Sequence, residues 1–233
     1  MNSPAPLHLA PERIYWWARQ HALILLIGVT AAWLERSGLL LAAMAGASFL
    51  AIFRMPQPTS PASPGRLWQK ALLFGRIVIA LGVIMEPQMD SSAIAATLAT
   101  LTVFQLLEAW LSRQHISPHL ALIEQETDAI WVISLCFLLV PLTPWGHGMI
   151  WLALLRPLAV MTSHWSGAPR CPMPWNFSAR LLSGISLLAL AAPLLAIIPR
   201  GIAQVVVVAG IVGWIALLAI WAVRALRVSG KTL

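Results

Sequence analysis

The chain has 233 residues, of which 59% are hydrophobic and 10% charged, with a mean hydropathy of +0.81. A water-soluble domain carries about 25% charged residues, so the composition excludes an ordinary soluble fold and points to a protein that spans a membrane. The net charge is +7, but no basic stripe carries interleaved aromatics on a polar face, which argues against a nucleic-acid partner.

The first 20 residues hold Pro4, Pro6, Pro11, Glu12 and Arg13. They lack the apolar stretch of about 7–15 residues that a signal peptide needs. Apolar runs then follow at Ala22 to Leu34 and Leu39 to Phe53, split by Glu35-Arg36-Ser37-Gly38. Arg54 to Gly65 holds Pro56, Pro58, Pro61 and Pro64, and reads as a linker with Pro64-Gly65 as its strongest breaker. Further runs are Ala71 to Met85, Ala93 to Leu111, Ala129 to Leu142 and Met149 to Met161. Leu181 to Ile198 and Ile202 to Val223 close the series. Continuous apolar runs lack the alternation of barrel strands, so eight helices are expected. Several fall short of the roughly 20 residues a perpendicular span requires, and flanking tryptophans must extend them.

Charge sets the expected orientation. With a cytoplasmic N-terminus and eight spans, Arg36 and Arg200 lie outside and the other thirteen Lys and Arg lie on or toward the cytoplasmic side. Both termini are then cytoplasmic, in a multi-pass protein of bacterial inner-membrane type. Trp16, Trp17, Trp33, Trp68, Trp110, Trp145, Trp165 and Trp175 fall near span ends as an aromatic belt. Arg156 sits within a span, where snorkelling toward the cytoplasmic end is the plainer expectation. A phosphate or carboxylate partner inside the bundle is the alternative. Ala209 and Gly213, four apart, can dock helices closely, either in a homodimer or within one chain.

Cys136 lies in an apolar run and Cys171 in a basic loop, so no disulfide framework follows. His115 and His119 are also four apart, but Pro118 interrupts a regular helix through them and no HExxH is present. The acidic residues carry more information. Glu108, Glu124, Glu126 and Asp128 are half of the eight acids, and they crowd one connector where basic residues are expected. Glu124 and Asp128 share a helix face, as do Gln105 and Glu108. Oxygen ligands at the water-facing mouth of a bundle suit a hard divalent cation. A solvated loop whose carboxylates pair with Arg113 or face water is the plainer alternative.

The order of these residues resembles the signature of the CDP-alcohol phosphatidyltransferases, D-x2-D-G-x2-A-R-x8-G-x3-D-x3-D. Gln105 and Glu108 take the first two Asp positions, Ala109 the first Gly, Ser112 the Ala and Arg113 the Arg. Leu120, Glu124 and Asp128 follow at the second Gly and the last two Asp positions. Arg113 and Asp128 are identical to the signature, and six residues rather than eight separate Arg113 from Leu120. Lys70, Leu73 and Arg76 have the spacing of the family's N-x2-T-x2-R, with the Arg kept. The likeness covers about residues 66 to 227.

The resemblance implies an all-α membrane protein with a six-helix transmembrane core behind an added N-terminal hairpin. The expected organisation is an N-terminal arm and two-helix hairpin over 1–54 and a Pro-rich cytoplasmic linker over 55–69. The core follows over 70–227, and a cytoplasmic tail over 228–233. The implied activity is transfer of a phosphoalcohol group from a CDP-linked lipid to an acceptor alcohol, with release of CMP, in phospholipid synthesis. Glu108, Glu124, Asp128 and Gln105 would hold Mg²⁺ or Mn²⁺, and Asp128 would also be the catalytic base. Ala109, Ser112, Arg113 and Arg180 would contact nucleotide or phosphate. The departures matter physically. Gln105 removes a charge, and each Glu for Asp moves a carboxylate by roughly 1 Å, a shift that can cost about 10²-fold in a preorganised site. A catalytically inactive relative that binds lipid or a partner is therefore the alternative, and a small transporter a second one.

Overall fold

A computed structural model describes residues 12–35, 37–54, 64–86, 89–111, 118–143, 145, 148–165, 177–195 and 197–229. These form eight α-helices and no strand. They are α1 (Glu12–Glu35), α2 (Leu39–Arg54), α3 (Pro64–Met85), α4 (Ser91–Leu111), α5 (Pro118–Leu139), α6 (Gly148–Trp165), α7 (Phe177–Ala191) and α8 (Arg200–Ser229). A 3₁₀ turn at Ala192–Leu194 extends α7. Two helices, over Leu67–Met85 and Arg200–Val223, are long and apolar enough to cross a membrane. Four shorter apolar helices accompany them, over Leu39–Arg54, Ser92–Glu108, Gly148–Ser163 and Ala179–Leu194.

Two helix starts differ from expectation for one reason. Proline is tolerated in the first turn, where its missing N–H would be unpaired anyway. So Pro64 opens α3 rather than closing the linker, and Pro118 opens α5 well before the apolar run begins. Glu124, Glu126 and Asp128 consequently lie in a helix, not in a solvated connector. The start of α4 carries its own cap. The Asp90 carboxylate accepts the Ala93 amide and the Ser92 hydroxyl, both at 2.7 Å, satisfying a first-turn donor.

The centre of the bundle is α5, buried on every side from Leu120 to Cys136. Helices α3, α6 and α7 pack against it, and α1 reaches it beside α6. The pairs Arg76–Asp128 and Ala80–Ser134 advance together, so α3 and α5 run parallel. The hairpin of α1 and α2 lies against α6 and α3. Trp17 is buried rather than belonging to an interfacial belt. Its indole donates to the Ser48 carbonyl at 2.9 Å, tying α1 to α2, and His21 stacks on it at 5.0 Å. Trp16, Trp33, Trp68, Trp110 and Trp145 are exposed. At the hairpin tip, a Cβ on Gly38 would fall 2.0 Å from the Ile84 carbonyl oxygen, so only glycine lets the tip seat on the end of α3.

Gly210 and Gly213 of α8 pack against α7, whereas Ala209 is exposed. A Cβ on Gly210 would fall 2.9 Å from the Ser186 carbonyl oxygen, and Gly213 faces the Ser186 side chain. Gly210→Val should lower stability by about 1–3 kcal/mol through overpacking of α7 on α8, read as a lower midpoint of thermal unfolding in detergent. A pH titration tests the α4 cap. Hydrogen bonding from the Ala93 amide and then from Ser92 holds the Asp90 carboxyl below its ordinary value of 3.8. A carboxyl lowered on folding stabilises above its unfolded value, and the contribution is lost as pH falls through the folded value. The Ala93 amide resonance should therefore titrate with a midpoint below 3.8, and the titration should vanish in Asp90→Asn.

Candidate functional site

Four helices bring charged side chains to one buried level. Arg76 on α3 is 1% exposed. Its Nη1 donates to Glu108 Oε2 on α4 and its Nη2 to Asp128 Oδ1 on α5. One guanidinium thus bridges two carboxylates that lie on different helices. The second oxygen of Asp128 accepts the Ser183 hydroxyl from α7. One turn earlier on α7, Arg180 Nη2 donates to Glu124 Oε2 at 2.5 Å. The i, i+4 spacing of Glu124 and Asp128 on α5 therefore meets the i, i+3 spacing of Arg180 and Ser183 on α7.

Of the sequence-derived candidates, Glu108, Glu124, Asp128 and Arg180 come together here. Gln105 lies one turn from Glu108 against α7, and its Nε2 would be 3.0 Å from a Cβ on Gly184. Ser112 and Arg113 lie outside the described residues, as do the side chain of Ala109 and the residues Cys171 and His115. Ser183 was not among the candidates. The available signal was its position three residues after Arg180, on the same helix face.

A second charged cluster occupies the other side of α5. Arg156 on α6 is 4% exposed rather than snorkelling, because a buried carboxylate is within its reach. Its Nη2 donates to Glu126 Oε1 at 2.8 Å and to Gln125 Oε1 at 3.1 Å. Its guanidinium carbon lies 5.3 Å from the centre of the Trp221 ring on α8, a cation–π distance. The carboxylate alternative for Arg156 is thus the one observed.

The charges nearly balance. Glu108, Glu124 and Asp128 face Arg76 and Arg180, and Glu126 faces Arg156. Unpaired charges in a dry interior cost several kcal/mol each, so this pairing is a condition of burial. It also bears on metal chemistry. Among the described residues, no group of three or more His, Cys, Asp or Glu side chains is arranged to hold a metal ion. The Asp128 oxygens point at donors from Arg76 and Ser183. A divalent cation bound at Asp128 would have to displace those donors.

A narrow crevice between α4, α5 and α7 ends at this polar level. Arg76, Gln105 and Trp131 line it together with Leu98, Leu187 and Ala191. Trp131 is buried, and its indole N–H has no hydrogen-bond partner among the described residues. From Gln105 to Leu98 the crevice follows seven residues of α4, roughly 10 Å along the axis.

The chain matches no family model, no curated protein and no solved structure. The geometry therefore stands on its own. Arg76→Met should destabilise the fold by about 3–5 kcal/mol, since it leaves Glu108 and Asp128 buried without their shared counter-charge. Arg76→Lys should recover little of this, because one ammonium lacks the planar fork that spans two carboxylates. Thermal unfolding of both variants in detergent checks the order.

Proposed function

We propose that this chain is a non-catalytic, lipid-binding membrane protein on a core like that of the CDP-alcohol phosphatidyltransferases. In it, arginines balance the buried carboxylates in place of divalent cations. The observation that carries the reading is the single guanidinium of Arg76 set between Glu108 and Asp128. It takes carboxylate oxygens that a metal would need, and Ser183 takes the remaining oxygen of Asp128. A general base must reach the proton it removes, and Asp128 instead faces two donors. The crevice supports lipid as the ligand. Its apolar walls suit an acyl chain. The surplus of basic residues on one side of the helices supports an inner-membrane topology with both termini cytoplasmic.

Phosphatidyl transfer is the second reading, and one observation favours it. Arg76, Glu108, Glu124, Asp128 and Arg180 come from four helices, yet they gather at one level in the positions the resemblance assigns them. In that reading, an acceptor hydroxyl attacks the β-phosphorus of a CDP-linked lipid and CMP leaves. Asp128 takes the hydroxyl proton while Arg76 and Arg180 face the diphosphate. It needs Mg²⁺ or Mn²⁺ among Gln105, Glu108, Glu124 and Asp128, which the arginines must first release.

One experiment separates the two. Purified protein is incubated with CDP-diacylglycerol, a panel of alcohols and Mg²⁺ or Mn²⁺, and CMP is measured. The expected result is no release above the protein-free background. Native mass spectrometry of the same sample should show retained phospholipid that Ala191→Phe, which fills the crevice, reduces several-fold. CMP release that disappears in Asp128→Asn would replace this reading with the transferase.

A further inference from the structure

The sequence Glu124-Gln125-Glu126-Thr127-Asp128 poses a problem of choice. It offers three carboxylates within five residues, and α5 is buried all round. Two arginines wait on the α3 and α7 side, Arg76 and Arg180. At about 100° per residue, Glu126 lies about 180° around the helix from the midpoint of Glu124 and Asp128. A half-turn of α5 would therefore present Glu126 to the polar level and carry Asp128 away from it.

We propose that Arg156 is the positioning residue that fixes the rotational setting of α5. It claims Glu126, and so leaves Glu124 and Asp128 for Arg180 and Arg76. Three observations support this. Arg156 holds both Gln125 and Glu126, so it grips two adjacent positions rather than one. The Trp221 ring on α8 and the packing of α6 hold the guanidinium in place, so the grip is anchored outside α5. Glu126 is 0% exposed, and among the described residues its charged partner is Arg156, so the pair ties this face of α5 to α6. Buried ionic groups are best attested as devices that select one register from several. The inference concerns the seating of α5, and it holds whether or not the polar level performs chemistry.

The test reads the setting of α5 directly. The reporter is the full chain with Cys136→Ala and Cys171→Ala, and with Ala80→Cys and Ser134→Cys. Those two positions meet where the Ser134 hydroxyl donates to the Ala80 carbonyl at 3.0 Å. Copper-phenanthroline oxidation in membranes then gives a disulfide yield by gel mobility. Gln125→Glu with Glu126→Gln moves the acid by about 100° while keeping charge and composition. Arg156→Met with Glu126→Met removes the pair without stranding either charge. The reporter yield should fall at least threefold in both, while Arg156→Lys should retain most of it. An unchanged yield in the transposed variant overturns the proposal, because Arg156 would then accept an acid at either position and serve charge balance alone. Should the Met pair fail to fold, the transposed variant decides by itself.

Discussion

Everything in this molecule is arranged around the burial of three acids on one helix. Glu124, Glu126 and Asp128 are each at most 8% exposed. An ionised carboxylate in an apolar medium is tolerated only with a paired, hydrogen-bonded counter-charge. Each of the three has an arginine from a different neighbouring helix: Arg180 from α7, Arg156 from α6 and Arg76 from α3. The helices therefore cannot slide or rotate independently. Moving any of them past α5 breaks a pair, and breaking a buried pair costs more than the pair contributes.

The remaining packing serves that arrangement. The glycines of α8 bring it tightly onto α7, which carries Arg180 and Ser183. The hairpin of α1 and α2 has its own small polar knot of Trp17, His21 and Ser48. Its α1 packs against α6, the helix that carries Arg156. Gly184 is a further adjustment. Without a Cβ it lets Gln105 lie against α7, so the crevice reaches the charged level.

Much of this was legible in the sequence, and the failures have specific causes. Eight helices followed from apolar runs, because continuous hydrophobicity is a strong signal. Glu108, Glu124 and Asp128 stood out as acids in a connector where basic residues were expected. Arg76 and Arg180 stood out through the resemblance to the phosphatidyltransferase family. The acids were expected at a water-facing mouth, and they lie buried instead, because α5 begins at Pro118 and carries them into the bundle. Glu126 was one acid among four until the helix fixed it opposite its neighbours. Arg156 was expected at an interface, since a lone cation in an apolar run carries no label for its partner thirty residues away. Trp17 was placed in a belt because position along a span says nothing about which way a ring faces. Ser183 had no signal beyond its distance from Arg180.

The charge pattern of α5 has a consequence for how the chain is built. A carboxylate at the centre of an inserting helix adds about 2.5–3.5 kcal/mol to the cost of leaving the translocation channel. With three acids, α5 is not among the helices long and apolar enough to cross a membrane by themselves. Of its three counter-charges, Arg76 is synthesised before it, whereas Arg156 and Arg180 come after. The full set of counter-charges for α5 therefore exists only once α6 and α7 have been made. A chain made only as far as residue 140 holds Arg76 alone of the three, so two of the acids on α5 have yet to meet their counter-charges.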